Sequence, residues 1–398
     1  MLRRCLVPLL PLALAACQLL APTPEPQPMV VPLPGVPSAK APPPVLRASG
    51  WDAVDGWHDD DLRGAWQAFL ASCGPLKNQT AWQTICNTAA GLQDLSPDTL
   101  HQFFELNFTP YQVINGDDSD SGLITGYYEP LLHGSRTQSA RYAYPVYAAP
   151  DDLLTIDLGN AYPELKSMRL RGRLDPATRR VVPYYDRAQI EDGSAPLAGR
   201  EIVWVDDPVD LFFLQIQGSG RIKLDTGQTI RLGYADQNGY PYRSIGKRLV
   251  DLGELSLDQA SLDGIKDWAK HNPDKLRELL DYNASYVFFR ETPDNTAGGP
   301  LGAFGVPLTA QRSLAVDARI VPLGAPVFLS TTWPNSAKPL KQLMLAQDTG
   351  GAIRGGVRAD FFWGFGAEAA SRAGSMRQTG RMWVLLPKDY VVTAQQHP

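Results

Sequence analysis

Ala346-Gln347-Asp348-Thr349-Gly350-Gly351-Ala352-Ile353-Arg354-Gly355, followed by Arg358-Ala359-Asp360, is the stretch on which the reading of this chain turns. It sets two aspartates twelve positions apart and joins them by a segment with four glycines. Glycine permits left-handed backbone and close approach that other residues resist. A glycine-rich turn between apolar flanks can therefore hold two carboxyl groups near each other in an open groove. A third aspartate, Asp317, lies upstream within Leu314-Ala315-Val316-Asp317-Ala318-Arg319-Ile320-Val321-Pro322-Leu323-Gly324. Neighbouring carboxylates disfavour joint ionisation, so one of them keeps its proton near neutral pH. Acid-catalysed cleavage of a sugar acetal has that requirement.

Composition sets the frame around this stretch. A chain of 398 residues holds about two or three domains. The net charge is −5, and no run of lysine and arginine forms a basic stripe. Both argue against a nucleic-acid partner. Aromatic-rich acidic proteins tend to handle neutral polymers such as glycans. The five histidines show no metal-ligand spacing, so neither metal nor cofactor is expected.

The first residues read as a targeting segment and not as fold. Arg3 and Arg4 precede an apolar stretch, Leu6 to Ala16, too short to span a bilayer as a mature helix. It ends Leu14-Ala15-Ala16-Cys17, which resembles a bacterial lipoprotein signal covering residues 1–16, with Cys17 lipidated. The alternative is an ordinary secretory signal with an incidental cysteine. Several acyl chains, at roughly 0.8 kcal/mol per buried CH₂, would anchor the protein to a membrane. Gln18 follows where an aspartate would mark inner-membrane retention, so the expected location is the outer membrane, facing the periplasm. Residues 17–47 are proline-rich and read as an extended tether. Export permits oxidation, so Cys73 and Cys86 are expected to pair; two buried thiols are the alternative.

The folded part is expected from near Trp51. Asp60 or Asp61 is placed as the cap of a helix carrying Leu62, Trp66, Phe69 and Leu70, and Ser96-Pro97-Asp98 starts another. From Leu123 onward short β-branched and aromatic runs predict strands at Ile202–Val205, Leu211–Ile216, Arg221–Leu224 and Thr229–Leu232. Asp225-Thr226-Gly227 reads as the hairpin turn between the last two. Helices return at Ser244–Leu252 and after Asn272-Pro273-Asp274, and the chain is β-rich again beyond Pro300.

The segments around the three aspartates resemble the three-aspartate domain of the membrane-bound lytic murein transglycosylase A family. So do Gly126-Tyr127-Tyr128-Glu129-Pro130, Gln215-Ile216-Gln217-Gly218-Ser219-Gly220, Tyr242-Arg243-Ser244-Ile245-Gly246-Lys247, Asn283-Ala284-Ser285-Tyr286-Val287-Phe288-Phe289 and Gly364-Phe365-Gly366-Ala367-Glu368-Ala369-Ala370. The resemblance implies a mainly β protein with some helices. A discontinuous double-psi β-barrel domain, residues 48–134 and 292–398, would carry an inserted smaller β-rich domain, residues 135–291, with a groove between them for a glycan strand.

It further implies cleavage of the bond between N-acetylmuramic acid and N-acetylglucosamine in peptidoglycan, with closure of a 1,6-anhydro ring. By motif position Asp360 is the single acid and base, and Asp348 keeps it protonated or stabilises charge at the anomeric carbon. Asp317 orients the loop or binds sugar. Tyr127, Tyr128 and Trp363 are candidates to stack on sugar faces, against the alternative of core packing. Gln215 and Gln217 would share one strand face and, with Ser219, bond sugar hydroxyl or acetamido groups. Thr349 and Gly350 join this substrate-binding set, and Arg354 would meet a lactyl or peptide carboxylate. Expected partners are peptidoglycan strands and a membrane reached through the lipid anchor. Two other readings stand beside this one. Glu129 would supply the second carboxylate of a hydrolytic endoglycosidase, or the barrel would bind wall glycan without cutting it.

Overall fold

Ser313–Val316 is a short strand whose four residues are all buried, and its neighbours explain why. Pro339–Asp348 runs parallel on one side and Ala359–Phe365 antiparallel on the other. The computed structural model describes residues 45–392 apart from 166, 167, 169 and 294–297. The expected signal, Cys17 and most of the tether lie outside the described residues.

The largest sheet has eight strands. In order they are Val45–Ala48, Phe108–Ile114, Arg377–Pro387, Pro326–Thr332, Pro339–Asp348, Ser313–Val316, Ala359–Phe365 and Gly122–Glu129. Gly122–Glu129 also pairs with the start of Arg377–Pro387, from Thr125 opposite Arg377 to Gly122 opposite Gly380. The last six strands therefore close into a ring, which removes their free edges. Two of its pairings are parallel, Ser313–Val316 with Pro339–Asp348 and Ala359–Phe365 with Gly122–Glu129. This is the mixed six-stranded barrel that a double-psi fold requires. Val45–Ala48 pairs along Phe108–Ile114, so ordered structure starts ahead of Trp51 and within the residues expected as tether.

Three helices, Arg63–Leu76, Thr80–Gly91 and Pro97–Asn107, pack on the barrel. Trp66, Phe69, Phe103, Phe104 and Phe108 form one continuous apolar cluster with barrel residues such as Leu343, Met344 and Trp383. Cys73 and Cys86 form a disulfide between the first two helices. The first helix lacks the aspartate cap expected for it. Its N-cap is Leu62, Asp61 pairs with Arg63 at 2.6 Å, and Asp60 is buried, accepting from the Leu343 amide at 2.7 Å. Ser96 does cap the third helix through the Thr99 amide.

Gln347 fastens this helical layer to the strand that ends at Asp348. Its Nε2 donates to the Ala68 carbonyl and Ser72 Oγ at 2.8 and 2.9 Å, and its Oε1 accepts from Ser313 Oγ at 2.6 Å. All of these groups are buried. Gln347→Leu should destabilise the protein by about 1–3 kcal/mol through the stranded partners, read as a shift in denaturant midpoint.

A second sheet has six strands, ordered Val287–Thr292, Thr229–Gln237, Ser219–Leu224, Leu131–Ser135, Glu201–Val205 and Tyr144–Tyr147. The Asp225–Gly227 turn joins Lys223 opposite Thr229, with Gly227 at φ +87°. Leu131–Ser135 already belongs to this sheet, so the chain crosses at Pro130, ahead of the boundary expected at Ser135. Helices Pro208–Gln217, Ile245–Asp251, Leu262–His271 and Pro273–Asp281 share a further apolar cluster around Phe212, Leu249 and Trp268. A small three-stranded sheet, Leu154–Thr155, Arg171–Asp175 and Arg180–Pro183, completes the inserted part.

Leu211–Ile216, expected as a strand, lies inside the helix Pro208–Gln217. Asp207 caps it by accepting from the Val209 and Asp210 amides, Pro208 holds the first position, and Gly218 ends it at φ +76°. Aspartate, proline and glycine in those places are strong helix signals. Their effect outweighs the β-like composition between them. The helices Thr80–Gly91, Leu262–His271 and Ala367–Ser375 also form where none was expected.

Candidate active site

The aspartates reach the groove because of register. Ala315 pairs with Asp348 on one side and with Asp360 on the other. The two aspartates thus sit level on strands flanking a methyl-sized residue, their backbones about 10 Å apart given ordinary strand spacing. Asp360 in turn lies opposite Thr125 on the parallel strand Gly122–Glu129.

Thr125 and Tyr127 are two residues apart on that strand and project to the same side. Thr125 Oγ1 donates to Asp360 Oδ1 at 2.8 Å, and the Tyr127 hydroxyl donates to Asp348 Oδ2 at 3.1 Å. Asp348 Oδ1 also accepts from the Ala303 and Thr349 amides, each at 2.9 Å. Gly126, between the two, has Trp363 Nε1 2.7 Å and Ala373 Cα 2.9 Å from where a side chain would start, so only glycine fits there.

Asp348 and Asp360 both line a cavity of about 530 Å³. The barrel contributes Leu301–Ala303, Gly305, Leu308 and Thr349–Ile353 to its wall; the inserted part contributes Gln215–Ser219, Tyr234, Gln237, Val287 and Arg290. Burial pushes the Asp360 carboxyl up to about 6, and the charge of Asp348 adds to this. The Thr125 bond and the Arg358 charge oppose it without cancelling it. Tyr127 is driven well above its ordinary range by burial and by both aspartates, so it remains a hydroxyl donor. The arrangement offers a carboxyl that keeps its proton up to about pH 6, opening on a groove, with a carboxylate beside it held by three donors.

Asp317 is not part of this wall. Its side chain is fully buried and bound by Arg319 through Nε at 2.8 Å and Nη2 at 2.5 Å. Burial raises its pKa, but these bonds and the Gly355 amide at 3.0 Å hold it lower than usual. It anchors the glycine-rich loop and cannot meet a sugar. The exposed Arg354 lies 3.9 Å from Asp317 and does not line the cavity.

The expected stacking residues are also placed elsewhere. Tyr127 is buried, packs on Phe362 at 5.1 Å between ring centres, and positions Asp348. Trp363 is buried in the barrel core beside Phe361 at 4.5 Å. It stands three residues after Asp360, so a strand turns it to the opposite face. Tyr128 packs against the core, and its amide donates to Gln217 Oε1 at 3.1 Å. Gln215, Gln217, Ser219, Thr349 and Gly350 do line the cavity. On a helix the two glutamines no longer share a face: Gln215 is buried and accepts from Arg187 Nη2 at 2.5 Å. Glu129 is sealed at 1% exposure between Arg231 at 2.8 Å and Arg221 at 3.0 Å. Thr125 was missed in the sequence, although its position two before Tyr127 carried the signal.

A family model described as the MltA specific insert domain matches residues 123–290, and one described as the 3D domain matches residues 312–386. Over 284 residues the chain is 33% identical to the membrane-bound lytic murein transglycosylase A of Escherichia coli K12, covering 69% of this chain and 68% of that protein. The chain belongs to this family. The crystal structure of MltA from Neisseria gonorrhoeae is similar with a TM-score of 0.74 and 38% identity, over 87% of this chain and 94% of that one. Escherichia coli MltA with bound chitohexaose is similar at a TM-score of 0.61 and 26% identity, over 87% and 95%.

Proposed function

We infer that this protein is a lytic transglycosylase of peptidoglycan, with Asp360 as its one acid and base. The observation that carries the reading is the raised Asp360 carboxyl, pushed up to about 6, opening on the groove beside Asp348. The proton on Asp360 passes to the glycosidic oxygen as the bond from the muramic anomeric carbon breaks. Positive charge develops on that carbon, and Asp348 stabilises it. The muramic 6-hydroxyl attacks the same carbon and closes the 1,6-anhydro ring. Its proton returns to Asp360, so the site is reset and no water is consumed. An intramolecular hydroxyl has a high effective concentration, which removes the need to position a water.

The hydrolytic alternative needs a second carboxylate poised to activate water. Glu129 is bound by two arginines and Asp317 by Arg319, and three donors already meet Asp348. This favours the water-free route. A β-1,4 hexasaccharide bound by the Escherichia coli relative supports a glycan strand as the groove's occupant. The family's membrane-bound members support membrane association, with the Cys17 anchor, outer-membrane location and periplasmic face as the finer expectation. Among the described residues no helix is long and apolar enough to cross a membrane.

Mass spectrometry of digested sacculi tests the reaction. Muropeptides one water lighter than hydrolysis products are expected. Reducing muramic ends would establish a hydrolase, and no release would establish a binding protein.

A further inference from the structure

Two arginines line the groove, Arg187 and Arg290. Arg187 is buried and fully engaged. It donates to the Asn283 carbonyl at 2.9 Å, the Ser285 carbonyl at 2.7 Å and Gln215, and it pairs with Glu191 at 2.9 Å. Arg290 is exposed, on the edge strand Val287–Thr292 of the second sheet. Among the described residues it has no carboxylate partner. The adjacent Glu291 is taken by Arg136 at 2.7 Å.

Arg290 and Asp360 belong to different sheets on the two walls of the groove. The cation whose charge acts on Asp360 is Arg358. A second guanidinium beside Asp360 would favour its ionised form and undo the raised pKa. The groove thus carries an exposed cation on one wall and its acid on the other. A neutral β-1,4 glycan gives such a cation nothing to pair with. A murein strand does, because each muramic residue bears a 3-O-lactyl group ending in a carboxylate or in a peptide with carboxylates of its own.

We propose that Arg290 binds the carboxylate borne on the lactyl branch of the murein strand, and so sets the preference for murein over neutral glycans. This rests on the glycan-cleaving reading above. It also moves the carboxylate-reading role expected of Arg354 to the other side of the groove. A guanidinium matches a carboxylate bidentately, which a neutral side chain cannot replace.

The test uses the purified full-length protein and its Arg290→Gln and Arg290→Lys variants. Substrates are murein strands with stem peptides and strands stripped to the free lactyl carboxylate, with chitohexaose as the neutral ligand. Arg290→Gln should raise KM about tenfold on at least one murein substrate, with kcat within about twofold. Its Kd for chitohexaose should stay within about twofold, and Arg290→Lys, which keeps the charge but loses the bidentate fork, should recover only part of the KM. Loss on stripped strands identifies the lactyl carboxylate as the contact; loss on peptide-bearing strands alone identifies the peptide. Unchanged KM on both, or equal loss on chitohexaose, overturns the proposal. A wild-type protein that makes no anhydro product from either strand overturns the underlying reading instead.

Discussion

Asp360→Asn should lower the release of anhydro-muropeptides about 10³-fold while glycan binding survives, because one proton carrier serves both steps. Asparagine keeps the size and can still accept the Thr125 hydroxyl, but it has no proton to deliver. Wild-type turnover should show a matching pH profile, with kcat/KM falling as pH rises through about 6 and the acid ionises. The same residue leaves a mark on stability. Its pKa lies at about 6 in the fold against 3.8 as the ordinary value, so between these the folded state binds more protons than the unfolded one. Stability therefore falls as pH rises through that window, by at most about 3 kcal/mol from this group. The asparagine variant lacks that dependence. Its melting temperature should equal or exceed wild type at pH 7, and the gap should close by pH 4. Turnover at the wild-type rate would remove Asp360 from the chemistry. A variant that melts well below wild type at pH 7 would contradict the buried, strained charge.

Glu129→Ala should cost about 3–5 kcal/mol of stability, since it strands a buried arginine. Glu129 is the last residue of a barrel strand, while Arg221 and Arg231 belong to the second sheet. Arg231 is 5% exposed and, among the described residues, would keep only the Gly298 carbonyl at 3.2 Å. The drop in melting temperature should be roughly 4–7 °C for a protein of this size. Glycan binding should weaken as the two groove walls lose their tie, yet the product should remain anhydro-sugar. A double variant, Glu129→Leu with Arg231→Met, should recover part of the stability because the more buried of the two stranded charges is gone, leaving the half-buried Arg221 alone. If Glu129→Ala instead melted like wild type and stopped catalysis, Glu129 would be a reacting carboxylate and the hydrolytic reading would return.

The sequence carried the chemistry of this site better than its scaffolding. The pair Asp348 and Asp360, with glycines between, was expected in one groove, and both line the same cavity. Asp317 was misplaced because a motif shows residue type and not partner; Arg319, two residues on, is what captures it. Trp363 was taken for a sugar platform although its odd spacing from Asp360 turns it into the core. Leu211–Ile216 read as a strand because its apolar residues point all round, and the flanking Asp207, Pro208 and Gly218 were given too little weight. The ring closure was beyond local reading. It depends on pairings such as Thr125 with Arg377, which no window of neighbouring residues contains.

That closure has a bearing on when the enzyme comes alive. Thr125 meets Asp360 across 235 positions, and Tyr127 meets Asp348 across 221. The final strand, Arg377–Pro387, is what seals Gly122–Glu129 into the barrel. A nascent or clipped chain lacking its carboxyl end therefore holds half a scissors. Its early residues cannot sever the wall, and cutting power arrives only once Arg377–Pro387 is in place.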